Sequence, residues 1–221
     1  MGIVIPARNE SARIANVLGR IEAVPGIGTH MVLVVDDGSN DGTSEAASTA
    51  GATVVRHVVN LGKGGALRTG CEAALRESCD VIAVMDADGQ HDPADLPRLL
   101  APLLEGEADL VCAYRRFSSE MPAAMRVGNR GLSTAFKVLF GVRVTDTQCG
   151  LRALTAGAYR KVRWAATDYS VETEMLVRAS RAGLRIREIG IATVYHDRYK
   201  GTTPIDGLKI MANMLLWRAG L

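Results

Sequence analysis

Short, almost wholly apolar runs alternate along the chain with longer segments in which apolar residues recur at helical spacing. Residues 2–5 (GIVI), 31–35 (MVLVV), 52–58 (ATVVRHV), 80–85 (DVIAVM) and 108–114 (ADLVCAY) predict strands. Each is apolar at nearly every position, the pattern of parallel strands covered on both faces. Between them, residues 10–24, 42–50, 64–77 and 93–105 predict helices. Asp41 or Thr43 offers a cap for the second helix, and Asp92 with Pro93 gives the fourth a cap-then-proline start. This alternation predicts an α/β fold, doubly wound around a mostly parallel sheet, with ligands at the carboxyl ends of the strands.

The rhythm changes after Tyr114. Residues 115–126 have loop composition, 127–141 predict a helix, 145–154 (TDTQCGLRAL) an extended segment, 170–183 a helix and 185–196 a strand. Residues 207–221 (GLKIMANMLLWRAGL) are helix-like and rich in Leu, Met and Trp, but too short to cross a bilayer. No linker composition and no internal repeat divides the chain, so a single domain is expected.

Composition narrows the picture only slightly. With 48% hydrophobic and 23% charged residues, the 221-residue chain has the make-up of an ordinary soluble globular protein. A formal net charge of +2 gives no general case for a nucleic-acid partner, so any anionic ligand must be met locally. Cys71, Cys79, Cys112 and Cys149 form no C-x-x-C pair, which argues against a zinc site or disulfide framework and for reduced thiols in the cytoplasm. No signal peptide is expected, because MGIVIPARNE reaches Asn9 and Glu10 after few apolar residues.

Four polar clusters fall at strand ends. The first strand runs into PARNE (6–10) and the second into DDGSNDGT (36–43). Turn formation explains Ser39, Asn40 and Gly42; adjacent Asp36 and Asp37 need a donor-rich partner, because like charges crowded together are costly. NLGKGGALRTG (60–70) opens a helix with glycines whose N–H groups, with Lys63 and Arg68, suit phosphate, although simple packing explains such a start equally well. In VMDADGQHD (84–92), Asp86 and Asp88 point the same way on an extended chain and repel unless a cation joins them. An all-oxygen set of Asp86, Asp88 and Gln90 suits Mg²⁺ or Mn²⁺, which leaves positions open for substrate phosphates. For His91 a surface or cap role outweighs ligation, and Asp92 is the helix cap.

In this order, IVIPARNE, VVDDGSNDGT, NLGKGGALRTG and MDADGQHDP resemble the motifs of the family 2 inverting glycosyltransferases with the GT-A fold, of the dolichyl-phosphate mannose or glucose synthase type. The similarity continues through TDTQCGLRA and DRYKGTT and so covers nearly the whole chain. The resemblance implies a nucleotide-sugar-binding half over residues 1–114 and an acceptor-binding half with a C-terminal helix over 115–221. It implies a nucleoside pocket of Pro6, Ala7, Arg8, Glu10 and Asp37 with Asp36 beside them, and Lys63 near the nucleotide. Asp86, Asp88 and Gln90 match the metal and diphosphate site, with Asp88 and Arg198 in the catalytic role of easing departure of the diphosphate. RYKGTT departs from the family's R-x-x-G-x-S segment: Thr203 replaces serine, and Pro204 stands where a lysine usually follows, with Lys200 a partial substitute.

The activity so implied is transfer of a hexose, first of all mannose from GDP-mannose, to a polyprenyl (dolichyl) phosphate, with Mn²⁺ or Mg²⁺ as cofactor. An acceptor phosphate is already anionic; a hydroxyl acceptor would need a base, for which Asp146, Glu172 and Glu174 are the candidates. Glu172 and Glu174 lie about 200° apart on a helix, so only one is expected to face the site. Arg115, Arg116, Arg126, Arg130 and Lys137, with Glu120 the one counter-charge among them, suit an anionic lipid acceptor at a bilayer surface. The C-terminal helix would then make a peripheral contact with the cytoplasmic face of a membrane, or else pack into the core or a dimer seam. Alternatives are a UDP-glucose enzyme with a soluble glycan or hydroxyl acceptor, a nucleotidyltransferase, and a sugar-nucleotide-binding module without catalysis.

Overall fold

The computed structural model describes residues 1–115, 123–192 and 203–220. They form one α/β domain around a seven-stranded sheet of order β3-β2-β1-β4-β6-β5-β7. The strands are β1 (Gly2–Ala7), β2 (Met31–Asp36), β3 (Thr53–Arg56), β4 (Val81–Val84), β5 (Leu110–Arg115), β6 (Arg152–Thr155) and β7 (Ile186–Ile191). The helices are α1 (Ile14–Glu22), α2 (Thr43–Thr49), α3 (Lys63–Arg76), α4 (Leu96–Leu104), α5 (Ala123–Phe140), α6 (Ala156–Val162), α7 (Val171–Arg181) and α8 (Pro204–Arg218). All pairings are parallel except those of β6, which runs antiparallel to both β4 and β5.

The apolar runs behave as expected of strands covered twice. In β1, Ile3, Ile5 and Ala7 join a core layer with α1, α2 and α4, while Val4 points into the opposite layer with α3, α6 and α7. In α1, Ile14, Val17, Leu18 and Ile21 are buried, the stripe that brings an amphipathic helix onto a sheet. The predicted start at residue 10 moves to 14. Asn9 takes a left-handed turn with φ 55°, and Glu10 donates its N–H to Thr43 Oγ1 at 2.9 Å, which holds this segment out of the helix.

Other boundaries shift for local reasons. Asp41 accepts the Thr43 N–H at 3.0 Å although Gly42 is the residue at the cap position of α2. Asp92 accepts the Ala94 N–H at 3.1 Å and Pro93 opens a short 3₁₀ turn, Pro93–Asp95, that leads into α4. Asp92→Ala is expected to lower stability by about 1 kcal/mol, read as a reduced Tm, because the cap accepts a helix-end N–H that would otherwise lack a partner.

Three predictions in the second half need correction. The segment 145–154 is not extended throughout: only Arg152–Thr155 is strand, and 145–151 is a loop fixed by side chains. The short helix α6 was not foreseen, and its cap is Thr155, which accepts the Ala158 N–H. Helix α5 begins at Ala123, inside the predicted loop. Thr203 caps α8 in a reciprocal box with Asp206, and Pro204 opens the helix, so the departure from the family segment here builds a helix start.

Helix α8 packs through Ile210 and Met214 into the layer that also holds α5 and α7, while Ile205, Leu208, Leu215 and Leu216 are exposed. Among the described residues no helix is long and apolar enough to cross a membrane. All four cysteines are buried free thiols.

Candidate active site

A cleft of about 560 Å³ opens at the carboxyl ends of β1, β2 and β4. Pro6, Ala7, Arg8 and Glu10 from the β1 end, Asp37 from the β2 end, Lys63 from α3, and Asp86 and Asp88 beyond β4 all line it. Residues as far apart in sequence as Pro6 and Asp88 thus share one wall because parallel strands all end on the same side.

The two adjacent acids of the β2 turn part company. Asp36 is fully buried; its carboxylate accepts the Ser39 N–H at 2.8 Å and the Ser44 hydroxyl. Burial raises its pKa, but these bonds and Arg56 bring it below the usual value, so Asp36 is an anchor of the turn rather than part of the cleft wall. Asp37 faces the cleft and is also tied down. Its Oδ1 accepts from Leu61 N–H and faces His57 Nδ1, both at 2.8 Å, and its Oδ2 accepts from Gly62 N–H at 2.8 Å. The imidazole continues to Thr69 Oγ1 at 3.0 Å. The donors that two neighbouring carboxylates require are therefore all within the protein.

The glycine-rich start of α3 is explained by packing. A Cβ on Gly62 would lie 2.3 Å from the Thr167 carbonyl oxygen, and one on Gly64 would lie 2.2 Å from that of Ala166. The Gly64 N–H donates to Thr167 O at 2.8 Å, and Trp164 Nε1 donates to Gly64 O at 2.9 Å. These contacts fix the first residue of α3, Lys63, at the cleft.

Lys63 Nζ lies 2.6 Å from Asp86 Oδ1 and 2.7 Å from Glu172 Oε1, and stands 5.8 Å above the Tyr169 ring. Burial would lower the lysine's pKa, yet the two carboxylates raise it well above the ordinary value. Burial would likewise raise Asp86, but Lys63 holds it far below the carboxylate range. Asp88 goes the other way: burial and the charge of Asp86 both raise it. Gln90 is buried next to them and donates its N–H to Asp88 Oδ1 at 3.0 Å. His91 is buried with Nε2 3.6 Å from Asp86 Oδ2, a neighbour of the carboxylate and not a surface residue.

Among the described residues no group of three or more His, Cys, Asp or Glu side chains is set to hold a metal. The pair nevertheless fits a hard cation. Asp88 is raised by burial first and then by the anion beside it, and the charge set against Asp86 is an ammonium, so the two carboxylates suit a positively charged partner. Two carboxylates suffice for Mg²⁺ or Mn²⁺ when phosphate and water supply the other oxygens.

Of the residues expected at the acceptor, Glu172 reaches the cleft through Lys63, whereas Arg115 and Asp146 form a buried bidentate pair, at 2.7 and 3.0 Å. Asp146 is thereby removed as a free base: only 2% of it is exposed, and Arg115 keeps its carboxyl below the usual range against the burial that raises it. Arg126 and Arg130 ride on α5, and neither is among the residues lining the cleft. Glu174 is not a solvated charge; it is buried, accepts the Ala165 and Ala166 N–H groups and pairs with Arg178. Arg198, Lys200, Arg116 and Glu120 lie outside the described residues. Sequence reasoning missed Asn9, Asn60, Asp168 and Tyr169 as cleft residues. Asp168 and Tyr169 carry only the signal of a helix start, since Asp168 Oδ1 accepts the Ser170 N–H at 2.9 Å.

Comparison with known proteins adds a family to this geometry. The family model described as glycosyl transferase family 2 matches residues 2–162. The chain is 34% identical to an undecaprenyl-phosphate mannosyltransferase of Micrococcus luteus over 92% of its own length and 86% of the relative's. It is 30% identical to the UDP-N-acetylglucosamine–dolichyl-phosphate N-acetylglucosaminyltransferase of Methanococcus voltae, over 99% and 96% of the two chains. Among solved structures, glucosyl-3-phosphoglycerate synthase of Mycobacterium tuberculosis, in complex with Mn²⁺, UDP and glucosyl-3-phosphoglycerate, matches with a TM-score of 0.76 and 29% identity, over 100% of this chain and 80% of that one.

Proposed function

The chain belongs to glycosyl transferase family 2 and is a glycosyltransferase, and from that premise we propose that it moves a hexose from a nucleoside-diphosphate sugar to a polyprenyl phosphate with inversion at the sugar carbon. One observation carries the donor side: Pro6 to Glu10, Asp37, Lys63, Asp86 and Asp88 line a single cleft. In this reading Pro6, Ala7, Arg8, Glu10 and Asp37 hold the nucleoside, with Asp36 stiffening their turn. Asp86 and Asp88, with Gln90 behind them, hold Mn²⁺ or Mg²⁺; such an ion, when bound, offsets charge on the diphosphate as the sugar–phosphate bond breaks. The described side chains orient the leaving group, and Arg198 adds positive charge to it. Family membership leaves the nucleotidyltransferase alternative without support.

The polyprenyl-phosphate acceptor is supported by the two lipid-phosphate relatives and by the fate of the candidate bases. Asp146 is taken by Arg115 and Glu174 by α7 and its neighbours, while Glu172 is held on Lys63. A phosphate oxygen needs no base, so this set of engaged carboxylates suits it better than a hydroxyl. Contact of the basic α5 face and the exposed apolar residues of α8 with a membrane surface accords with such a substrate.

For the donor base, mannosyl relatives favour the GDP-mannose expectation, but Asp37 favours a second reading. Its Oδ1 already has two donors and its Oδ2 one, which leaves Oδ2 a single further position. One acceptor position suits the lone N–H of uracil better than the paired donors of guanine. The test is incubation with Mn²⁺, a short polyprenyl phosphate and radiolabelled GDP-mannose, UDP-glucose or UDP-N-acetylglucosamine. Label entering the organic phase from one donor is the expected result and identifies the sugar and base. Label from UDP-glucose that moves only onto an added soluble acceptor would support a hydroxyl-acceptor enzyme instead; no transfer from any donor would overturn both.

A further inference from the structure

We infer that Lys63 is a resident counter-cation that occupies the place of a divalent ion on Asp86, so that metal binds tightly only together with a diphosphate that draws the lysine away. The inference rests on the reading of the cleft given above. One carboxylate is crowded from three sides. Asp86 Oδ1 is met by Lys63 Nζ at 2.6 Å, and Oδ2 faces buried His91 at 3.6 Å. Behind the carboxylate stands Gly150, where a Cβ would come within 2.3 Å of Oδ2 and 3.0 Å of Oδ1. The missing Cβ thus lets residue 150 lie close behind Oδ2 while the lysine sits on Oδ1, and a cation arriving at Oδ1 meets an ammonium already there.

A second seat for the displaced ammonium is built in. Glu172 lies 2.7 Å from the same Nζ through Oε1, is buried, and its Oε2 has no hydrogen-bond partner among the described residues. Lys63 has a flexible stem on a backbone fixed by the Gly62 and Gly64 contacts, so the ammonium can exchange partners while the residue stays at the cleft. A bound diphosphate offers it an anion that Asp86 then no longer has to supply. In the free site Asp86 is thus already paired without metal, and nucleotide binding restores the demand for one. Thermodynamic reciprocity then requires that metal tighten nucleotide binding by the same factor.

The test reads binding and not turnover: Mn²⁺ titration followed by electron paramagnetic resonance, without nucleotide and with saturating UDP or GDP. The quantity of interest is the ratio of the two Mn²⁺ affinities. In Lys63→Gln the free protein is expected to bind Mn²⁺ about tenfold more tightly while the nucleotide complex changes little, so the ratio falls about tenfold. In Glu172→Gln the lysine is left to Asp86 alone, and the ratio rises. A ratio within about twofold of wild type in both variants, with thermal melts showing them folded, overturns the inference, because a merely nearby positive charge would alter both affinities alike. Failure of wild-type protein to bind Mn²⁺ with either nucleotide would instead overturn the underlying reading of the cleft, and this inference with it.

Discussion

Asp88→Asn is expected to reduce sugar transfer on the order of 10³-fold, the loss seen when one preorganised charge is taken from a developing leaving group. The substitution keeps the shape of the side chain and its ability to accept the Gln90 N–H, at 3.0 Å in the wild type, so the loop should hold. What it removes is half of an anionic pair whose second member pushes Asp88 toward protonation. Without that pair Mn²⁺ has one carboxylate, and its affinity in the nucleotide complex should fall in parallel with turnover. Measuring kcat at saturating metal and Mn²⁺ affinity by titration checks both parts. Turnover within tenfold of wild type would sink the assignment of Asp88 to the leaving group.

The second large effect concerns stability. Gly64→Ala is expected to destabilise the fold by about 3 kcal/mol, near the upper end for a methyl forced into filled space. The new Cβ would stand 2.2 Å from the Ala166 carbonyl oxygen and 2.9 Å from its carbon, and these are backbone atoms that cannot swing aside. Gly131→Ala provides the contrast. It lies within α5 with nothing within 4 Å of a new Cβ, so the alanine should add up to about 1 kcal/mol through helix propensity alone. Urea unfolding of the two variants should therefore shift the midpoint in opposite directions. If both shift alike, the close approach of α3 to residues 165–168 does not govern stability.

That glycine also shows how far the amino-acid sequence could be read. Strand runs such as MVLVV were legible because burial on two faces demands apolar residues at every position. The Asp92–Pro93 helix start was legible because its chemistry is local. The direction of β6 was not, since an antiparallel strand buried on both faces has the same apolar pattern as a parallel one. NLGKGGALRTG was read with phosphate and packing left open, and packing explains Gly62 and Gly64 only through residues a hundred positions away. The fate of Asp146 was hidden for the same reason: Arg115 lies 31 residues from it, and nothing local announces the pair. Glu174 meets near neighbours, Ala165, Ala166 and Arg178, but its burial depends on how α7 packs. Asp86, Asp88, Lys63 and Asp37 were recognisable as a group by motif order, but the lysine's ion pairs with Asp86 and Glu172 appear only when α3, β4 and α7 converge.

The reversed strand has a consequence for how the chain can be assembled during synthesis. Strand β5 pairs with β6 and β7 and with no earlier strand, and it ends at Arg115 while β6 begins only at Arg152. A nascent chain that has released β1 to β5 can zip together four strands but must leave the fifth without a ladder. Its apolar LVCAY stretch is then an open edge until the intervening helix and loop have emerged and β6 slots between β4 and β5. Closure of the sheet is therefore a late, long-range event, and it is the same event that brings Gly150 up behind Asp86. The surroundings of the Asp86 carboxylate are therefore completed only after its own strand, when the second half of the chain joins the sheet.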